Sequence, residues 1–315
     1  MRRFFFLAMI LVLAMTALGG CAKRGLEPGE GFIDVPGGRV WYRVVGSGNA
    51  TPLLLLHGGP GAPSYYLKPL AKLADERPVV FYDQLGCGHS PHANDTTLWT
   101  VDRFVAELAA VRKALRLREV HLLGTSWGTM LANEYLHTHP EGVRSVIMAS
   151  PAISISRWVR DADSLKKTLP DSTQAMIARH EADGSFDSPE YQNAMMTFYH
   201  RYVSRLDPWN ADIDSTFAQL GTGVYLYMCG PSEFSITGTL KSYEGVDRLK
   251  EITIPTLFTC GRYDEATPAA TQYYQSHVAG SRMVIFENSA HLTMEDEPDA
   301  YVKVVRDFLH EVERK

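Results

Sequence analysis

Ser126 stands in Gly124-Thr125-Ser126-Trp127-Gly128, directly after the apolar run Val120–Leu123 and at the head of a stretch with helical spacing, Trp127–His139. A strand that turns sharply into a helix presents a serine hydroxyl at its apex, and glycines on either side let the strained backbone pack closely. The hydroxyl would then lie at a helix N-terminus, where free N–H groups and the helix dipole favour developing negative charge. The backbone N–H of Trp127 is the expected first donor to an oxyanion. A second donor is expected from the glycine-rich run His57-Gly58-Gly59-Pro60-Gly61, which follows Leu53–Leu56, and Gly59 is the candidate.

A serine nucleophile needs a base and an acid to orient it. The chain has 11 histidines, so position must choose among them. His291 follows the apolar run Met283–Phe286 through Glu287-Asn288-Ser289-Ala290, and Asp264 follows Thr256–Cys260 through Gly261-Arg262-Tyr263. Both are expected on loops at the carboxyl ends of neighbouring strands. His57 precedes the nucleophile, and Asp296 and Asp299 follow the histidine; none fits the order serine, acid, histidine, and a structural role is expected for His57. Ser126, His291 and Asp264 together imply acyl transfer: the imidazole takes the serine proton, the aspartate fixes its tautomer, and water resolves the acyl-enzyme.

Those residues require a scaffold of alternating strands and helices. Strand-like runs occur at Phe32–Pro36, Val40–Val45, Leu53–Leu56, Val79–Tyr82, Val120–Leu123 and Val143–Ala149, with helix-like stretches at Tyr65–Ala74, Val101–Leu115 and Trp127–His139. Short continuous apolar runs suit strands buried on both faces, and their alternation with helices predicts an α/β protein with a mostly parallel, doubly wound sheet. The alternation stops after Pro151 and resumes at Ile254–Cys260 and Met283–Phe286, with a closing helix from Asp299 to about Val312. The expected organisation is an α/β-hydrolase fold with a core of residues 31–151 and 246–315 and a helical cap, residues 152–245, inserted between two strands over the ligand-binding ends.

The first twenty residues are expected to lie outside this fold. Arg2 and Arg3 precede an apolar run from Phe4 to Ala17, followed by Leu18-Gly19-Gly20-Cys21. That is the pattern of a signal peptide, and it falls short of the roughly 20 residues that cross a bilayer comfortably. Leu-Gly-Gly-Cys resembles the lipobox of bacterial lipoproteins, which implies cleavage before Cys21, a diacylglyceryl and acyl (palmitate-type) modification there, a linker over 21–30, and a catalytic domain held at the cell envelope outside the cytoplasm. Removing residues 1–20 takes away two arginines and leaves 295 residues with 29 basic against 36 acidic side chains, a net −7.

Two further motifs, Asp83-Gln84-Leu85-Gly86-Cys87-Gly88-His89-Ser90 and Gly230-Pro231-Ser232-Glu233-Phe234, join the glycine-rich loop, the elbow and Gly261-Arg262-Tyr263-Asp264-Glu265. Together they resemble the proline iminopeptidase (prolyl aminopeptidase) family of serine peptidases, from Phe32 to Leu309. Leu85 and His89 stand where many members carry arginine, and Thr125 where glycine is frequent. The resemblance implies release of an N-terminal residue, typically proline, from short peptides with a free N-terminus. It also implies that Glu233 and Glu265 hold the substrate's α-ammonium, with carboxylates supplying charge-assisted hydrogen bonds. Two close carboxylates should raise one another's pKa in the empty site. Tyr225, Tyr227 and Phe234 are candidates to wall a proline-sized pocket. An esterase, lactonase or amino-acid amidase on the same triad is the alternative, and a non-catalytic ligand-binding lipoprotein a more distant one.

Composition narrows the field further. Lys and Arg number 31 against 36 Asp and Glu, a formal −5 that gives no reason to expect a nucleic-acid partner. Cysteines at 21, 87, 229 and 260 lack the spacing of a zinc site or a redox pair, so no metal or cofactor is indicated. Cys87, Cys229 and Cys260 are expected as buried small hydrophobes.

Overall fold

The computed structural model describes residues 26–92 and 95–314. The expected signal peptide, residues 1–20, and the expected lipidation site Cys21 lie outside them. Eight strands form one sheet: β1 (Gly29–Val35), β2 (Gly38–Val45), β3 (Leu53–Leu56), β4 (Val79–Asp83), β5 (Val120–Ser126), β6 (Val143–Pro151), β7 (Thr256–Gly261) and β8 (Arg282–Phe286). Their spatial order is β1-β2-β4-β3-β5-β6-β7-β8, antiparallel at β1/β2 and β2/β4 and parallel elsewhere. Every residue of β3, β4, β5 and β7 is buried, as a strand covered on both faces by helices requires.

Helix α1 (Val101–Ala114) begins at Thr100, whose side chain caps Arg103 N–H, and turns Phe104, Leu108 and Val111 inward. Helix α2 (Trp127–His137) leaves β5 directly. The segment expected as a helix at Tyr65–Ala74 is a 3₁₀ helix over Ser64–Asp75; Pro69 lies inside it, and a ring without an N–H disfavours the α-helical ladder there. Between β6 and β7 come α3 (Ile155–Lys166), α4 (Asp171–Asp183), α5 (Pro189–Tyr202), α6 (Ala211–Ala218), α7 (Thr222–Met228) and the short α8 (Val246–Leu249). Then follow α9 (Pro268–Gln275), α10 (Thr293–Asp296) and α11 (Pro298–Glu313), the last starting one residue before the expected Asp299 with proline in its first turn.

The sheet order explains where a site can form. β3 is flanked by β4 on one side and β5 on the other, so the chain leaves it in opposite directions and opens a crevice at the carboxyl ends. Leu56 pairs with Gly124, which sets the loop after β3 beside the end of β5. Gly261 pairs with Phe286, which does the same for the loops after β7 and β8. Cys87, Cys229 and Cys260 are free and buried.

Candidate active site

Ser126 ends β5 with φ 54° and ψ −123°, outside the conformations that L-residues ordinarily adopt. Its flanking glycines follow from contact distances. A Cβ on Gly124 would sit 2.3 Å from the carbonyl oxygen of Gly128, and one on Gly128 would sit 2.1 Å from that of Leu56. The elbow is therefore pressed against β3 and its following loop. A Cβ on Gly58 would lie 3.1 Å from Cβ of Ser126. Gly59, at φ +105°, turns the backbone of this loop as only glycine does readily, and it lines the same cavity as Ser126.

The side chains of Trp127, Gln84, His57 and Tyr66 lock these two segments together, which gives His57 the structural role expected of it. Nε1–H of Trp127 donates to Oε1 of Gln84 at 2.9 Å, and Nε2–H of Gln84 donates to the carbonyl of His57 at 3.0 Å. His57 is fully buried: its Nε2 accepts from the backbone N–H of Gln84 at 2.8 Å and its Nδ1–H donates to the Gly58 carbonyl at 2.9 Å. Burial lowers its pKa and keeps the imidazole neutral, as one accepting and one donating nitrogen demand. Tyr66 accepts from the Gly58 N–H at 2.8 Å. The adjacent motif Asp83-Gln84 carried a signal for this bracing, but its residue types alone do not say which segments it ties.

Asp264 and His291 meet at the ends of β7 and β8. Nδ1–H of His291 donates to Oδ1 of Asp264 at 2.7 Å, and the same oxygen accepts from Ala266 N–H at 2.7 Å. Burial pulls the His291 pKa down, the Asp264 charge and hydrogen bond push it up, and the net shift is upward. The His291 backbone is pinned on both sides, its N–H to the Tyr202 carbonyl at 3.2 Å and its carbonyl to the Ser150 hydroxyl at 2.9 Å. The Trp158 ring packs edge-on against the imidazole at 5.7 Å between centroids. Asp296 accepts instead from Ala290 N–H, Arg205 N–H and the Ser204 hydroxyl, so it holds the histidine loop against the cap.

Glu233 and Glu265 face one cavity of about 320 Å³ that also contains Ser126 and His291. Glu233 comes from the cap, where Tyr225 donates its hydroxyl to Oε1 at 2.7 Å, Trp158 Nε1–H donates to its carbonyl at 2.6 Å, and its N–H donates to the Tyr199 hydroxyl at 3.3 Å. Glu265 is 2% exposed, and neither of its carboxyl oxygens has a hydrogen-bond partner. Burial raises the pKa of both acids; the charges of Glu233 and Asp264 raise Glu265 further, well above the carboxylate range. Of the three aromatic candidates, Tyr225 reaches the cavity. Tyr227 packs edge-on against Trp99, partly exposed, and Phe234 is buried among Phe198 and Tyr191 in the core of the cap. Phe234 is core packing within the cap, and Tyr227 lies at its surface.

Residues 51–298 match the model of the α/β hydrolase fold. The chain is 47% identical over 287 residues to a proline iminopeptidase of Heyndrickxia coagulans, covering 90% of this chain and 99% of that one. Among solved structures it resembles VinJ, with a TM-score of 0.88 at 36% identity over 91% of this chain and 100% of that one. It also resembles the proline iminopeptidase of Mycobacterium smegmatis, with a TM-score of 0.83 at 36% identity over 90% of this chain and 98% of the other. With the sheet order, the elbow and matches of this extent, the chain belongs to the proline iminopeptidase family of α/β hydrolases.

Proposed function

We propose that this protein is a serine aminopeptidase that releases an N-terminal residue, preferably proline, from short peptides. The observation that carries the reading is the pair of acids, half-buried Glu233 and buried Glu265, in one cavity with Ser126 and His291. An unpartnered buried carboxyl is costly unless a ligand completes it, and an α-ammonium supplies both the charge and the donors. In this reading Ser126 attacks the acyl carbon of the first peptide bond and His291 accepts its proton. The N–H groups of Gly59 and Trp127 receive the oxyanion, and Asp264 steadies the imidazolium. The C–N bond then breaks, the leaving amine takes the proton from His291, and water releases the amino acid from Ser126. Similarity to proline iminopeptidases supports proline as the favoured first residue.

The test is a panel of fluorogenic aminoacyl amides with proline, alanine, leucine and phenylalanine, each beside its N-acetylated form. Proline should lead, and acetylation should abolish turnover. A fluorophosphonate should label the wild type and leave Ser126→Ala unlabelled. Equal hydrolysis of free and acetylated amides would show that the acids do not read an amine.

The same proposal places the enzyme at the cell envelope, anchored through lipid on Cys21. Support comes from Arg2, Arg3, the apolar run after them and Leu18-Gly19-Gly20-Cys21. A diacylglyceryl group with a further acyl chain satisfies the need for more than one chain in stable anchoring. Incorporation of labelled palmitate, lost in Cys21→Ser, is the expected result; an unlabelled protein in the soluble fraction would overturn it.

A further inference from the structure

The acids and the elbow engage the amino end of a substrate, and the rest of the cavity receives the group that leaves. Its cap-side wall is apolar: Phe186, Met195, Val203, Phe217, Leu220 and Leu226. The acidic side chains of the lining are Asp187, Glu233 and Glu265, and among the described residues that line it there is no lysine or arginine. A volume of about 320 Å³ lies within the range of sites that enclose small molecules, roughly 300–1,000 Å³. In a dipeptide the free carboxylate sits on the residue just beyond the scissile nitrogen, only about 3.8 Å from one Cα to the next. It would be drawn into this cavity and desolvated against apolar walls without a lysine or arginine to pair it.

We infer that the leaving-group half of the cavity is an apolar, anion-excluding subsite, so that the favoured substrates carry a large uncharged group on the leaving amine. That class comprises aminoacyl amides of apolar amines and peptides whose second residue is apolar and whose carboxylate is amidated or lies further along the chain. Dipeptides with a free carboxylate are disfavoured. The inference rests on the aminopeptidase reading, since it takes the amine end to be held by Glu233 and Glu265. It concerns the leaving side of the bond, which the preference for an N-terminal proline does not describe.

The experiment compares kcat/KM of the full-length protein for prolyl-leucinamide, prolyl-leucine, prolyl-serinamide and prolyl-aspartamide. Prolyl-leucinamide is expected to exceed prolyl-leucine and prolyl-aspartamide by tenfold or more and prolyl-serinamide by several-fold. Leu226 is 55% exposed, so Leu226→Arg can bring a cation to the wall without disturbing the core. This variant should narrow the ratio of prolyl-leucinamide to prolyl-leucine by several-fold. Equal efficiency on prolyl-leucine and prolyl-leucinamide overturns the subsite while the aminopeptidase reading stands. Cleavage of none of the four, with Ser126 still labelled by a fluorophosphonate, overturns the aminopeptidase reading and the subsite with it.

Discussion

Nδ1 of His291 stands between two buried carboxyls: it donates to Asp264 at 2.7 Å, and Oε1 of Glu265 lies 4.0 Å from it. Asp264 has backbone donors as well, whereas Glu265 has no hydrogen-bond partner. The two neighbours in sequence therefore divide the work, one committed to the imidazole and one left open to a ligand. Glu265→Gln keeps the shape and removes the charge. Loss of a charge-assisted hydrogen bond is worth about 1.5–3 kcal/mol, so kcat/KM on amino-terminal amides should fall on the order of 10- to 100-fold, mostly through KM, with fluorophosphonate labelling little changed. Glu233→Gln should behave in the same way. Equal loss on simple esters and on aminoacyl amides would contradict the amine-binding role.

The raised pKa of His291 gives the acid limb of the pH profile its position. In the proposed mechanism only the neutral imidazole accepts the Ser126 proton, so activity should be present above that pKa and lost as pH falls through it. Because Asp264 is what outweighs burial, the limb should lie above the ordinary histidine value near 6.5. Asp264→Asn should move the limb to lower pH and reduce kcat by about 10⁴, as in other serine triads. An unshifted limb in that variant would mean that another group sets it.

The positions of the proposed site residues were legible in the sequence because they follow the apolar runs that form strands. The order of Ser126, Asp264 and His291 along the chain, each after an apolar run, singled out three residues that the β7/β8 register and the elbow place around one crevice. Trp127 and Gly59 were legible as backbone positions of a turn and a glycine loop. What stayed hidden depends on side-chain direction across the sheet. Gln84 ties Trp127 to His57 from the loop after β4, Asp296 braces the histidine loop against Ser204, and Phe234 turns into the cap core. A one-dimensional pattern marks apolar and polar positions but does not say which partner a buried amide or acid will meet. The helix-like spacing of Tyr65–Ala74 does not distinguish an α-helix from the 3₁₀ helix that forms over Ser64–Asp75 around Pro69.

The glycines of the elbow make a stability prediction with an internal control. Gly128→Ala would place a methyl group 2.1 Å from the Leu56 carbonyl oxygen, a backbone atom that cannot swing aside. Overpacking of this kind costs about 1–3 kcal/mol and occasionally more, and here it also displaces the loop that carries Gly59. Gly29→Ala meets nothing within 4 Å and should leave the melting temperature within about a degree or two of wild type. Similar unfolding curves for the two variants would contradict the close packing of the first turn of α2 on β3.

Glu295 links stability to pH. Burial, with only one hydrogen bond from Asn210 and the nearby charges of Asp212 and Asp296, raises its pKa from 4.5 to about 7. The folded state therefore holds a proton that the unfolded state releases first. The contribution is fully present below the ordinary carboxylate value and is lost as pH rises through about 7. Glu295→Gln keeps an acceptor for Asn210 without a charge, so its melting temperature should gain on wild type between pH 5 and pH 8. A difference between variant and wild type that does not change with pH would rule out Glu295 as the titrating group.

Gln84 separates bracing from chemistry. It touches neither Ser126 nor His291 in any hydrogen bond, yet it holds Trp127 at one end and the His57 carbonyl at the other. Removing it leaves the Trp127 Nε1–H and a carbonyl unpaired in a dry interior, at about 1–3 kcal/mol for a buried group. More of the effect should fall on kcat than on KM, because the proposed oxyanion donors sit on the two segments that Gln84 joins while the proposed amine site sits on the cap and after β7. Gln84→Ala should therefore lower kcat by roughly 10- to 100-fold with KM within about threefold. Gln84→Glu keeps the acceptor for Trp127 and loses the donor to His57, so a rate between the two would identify the Trp127 bond as one of two contributing ties. A change confined to KM would instead place Gln84 among the residues that shape the substrate pocket.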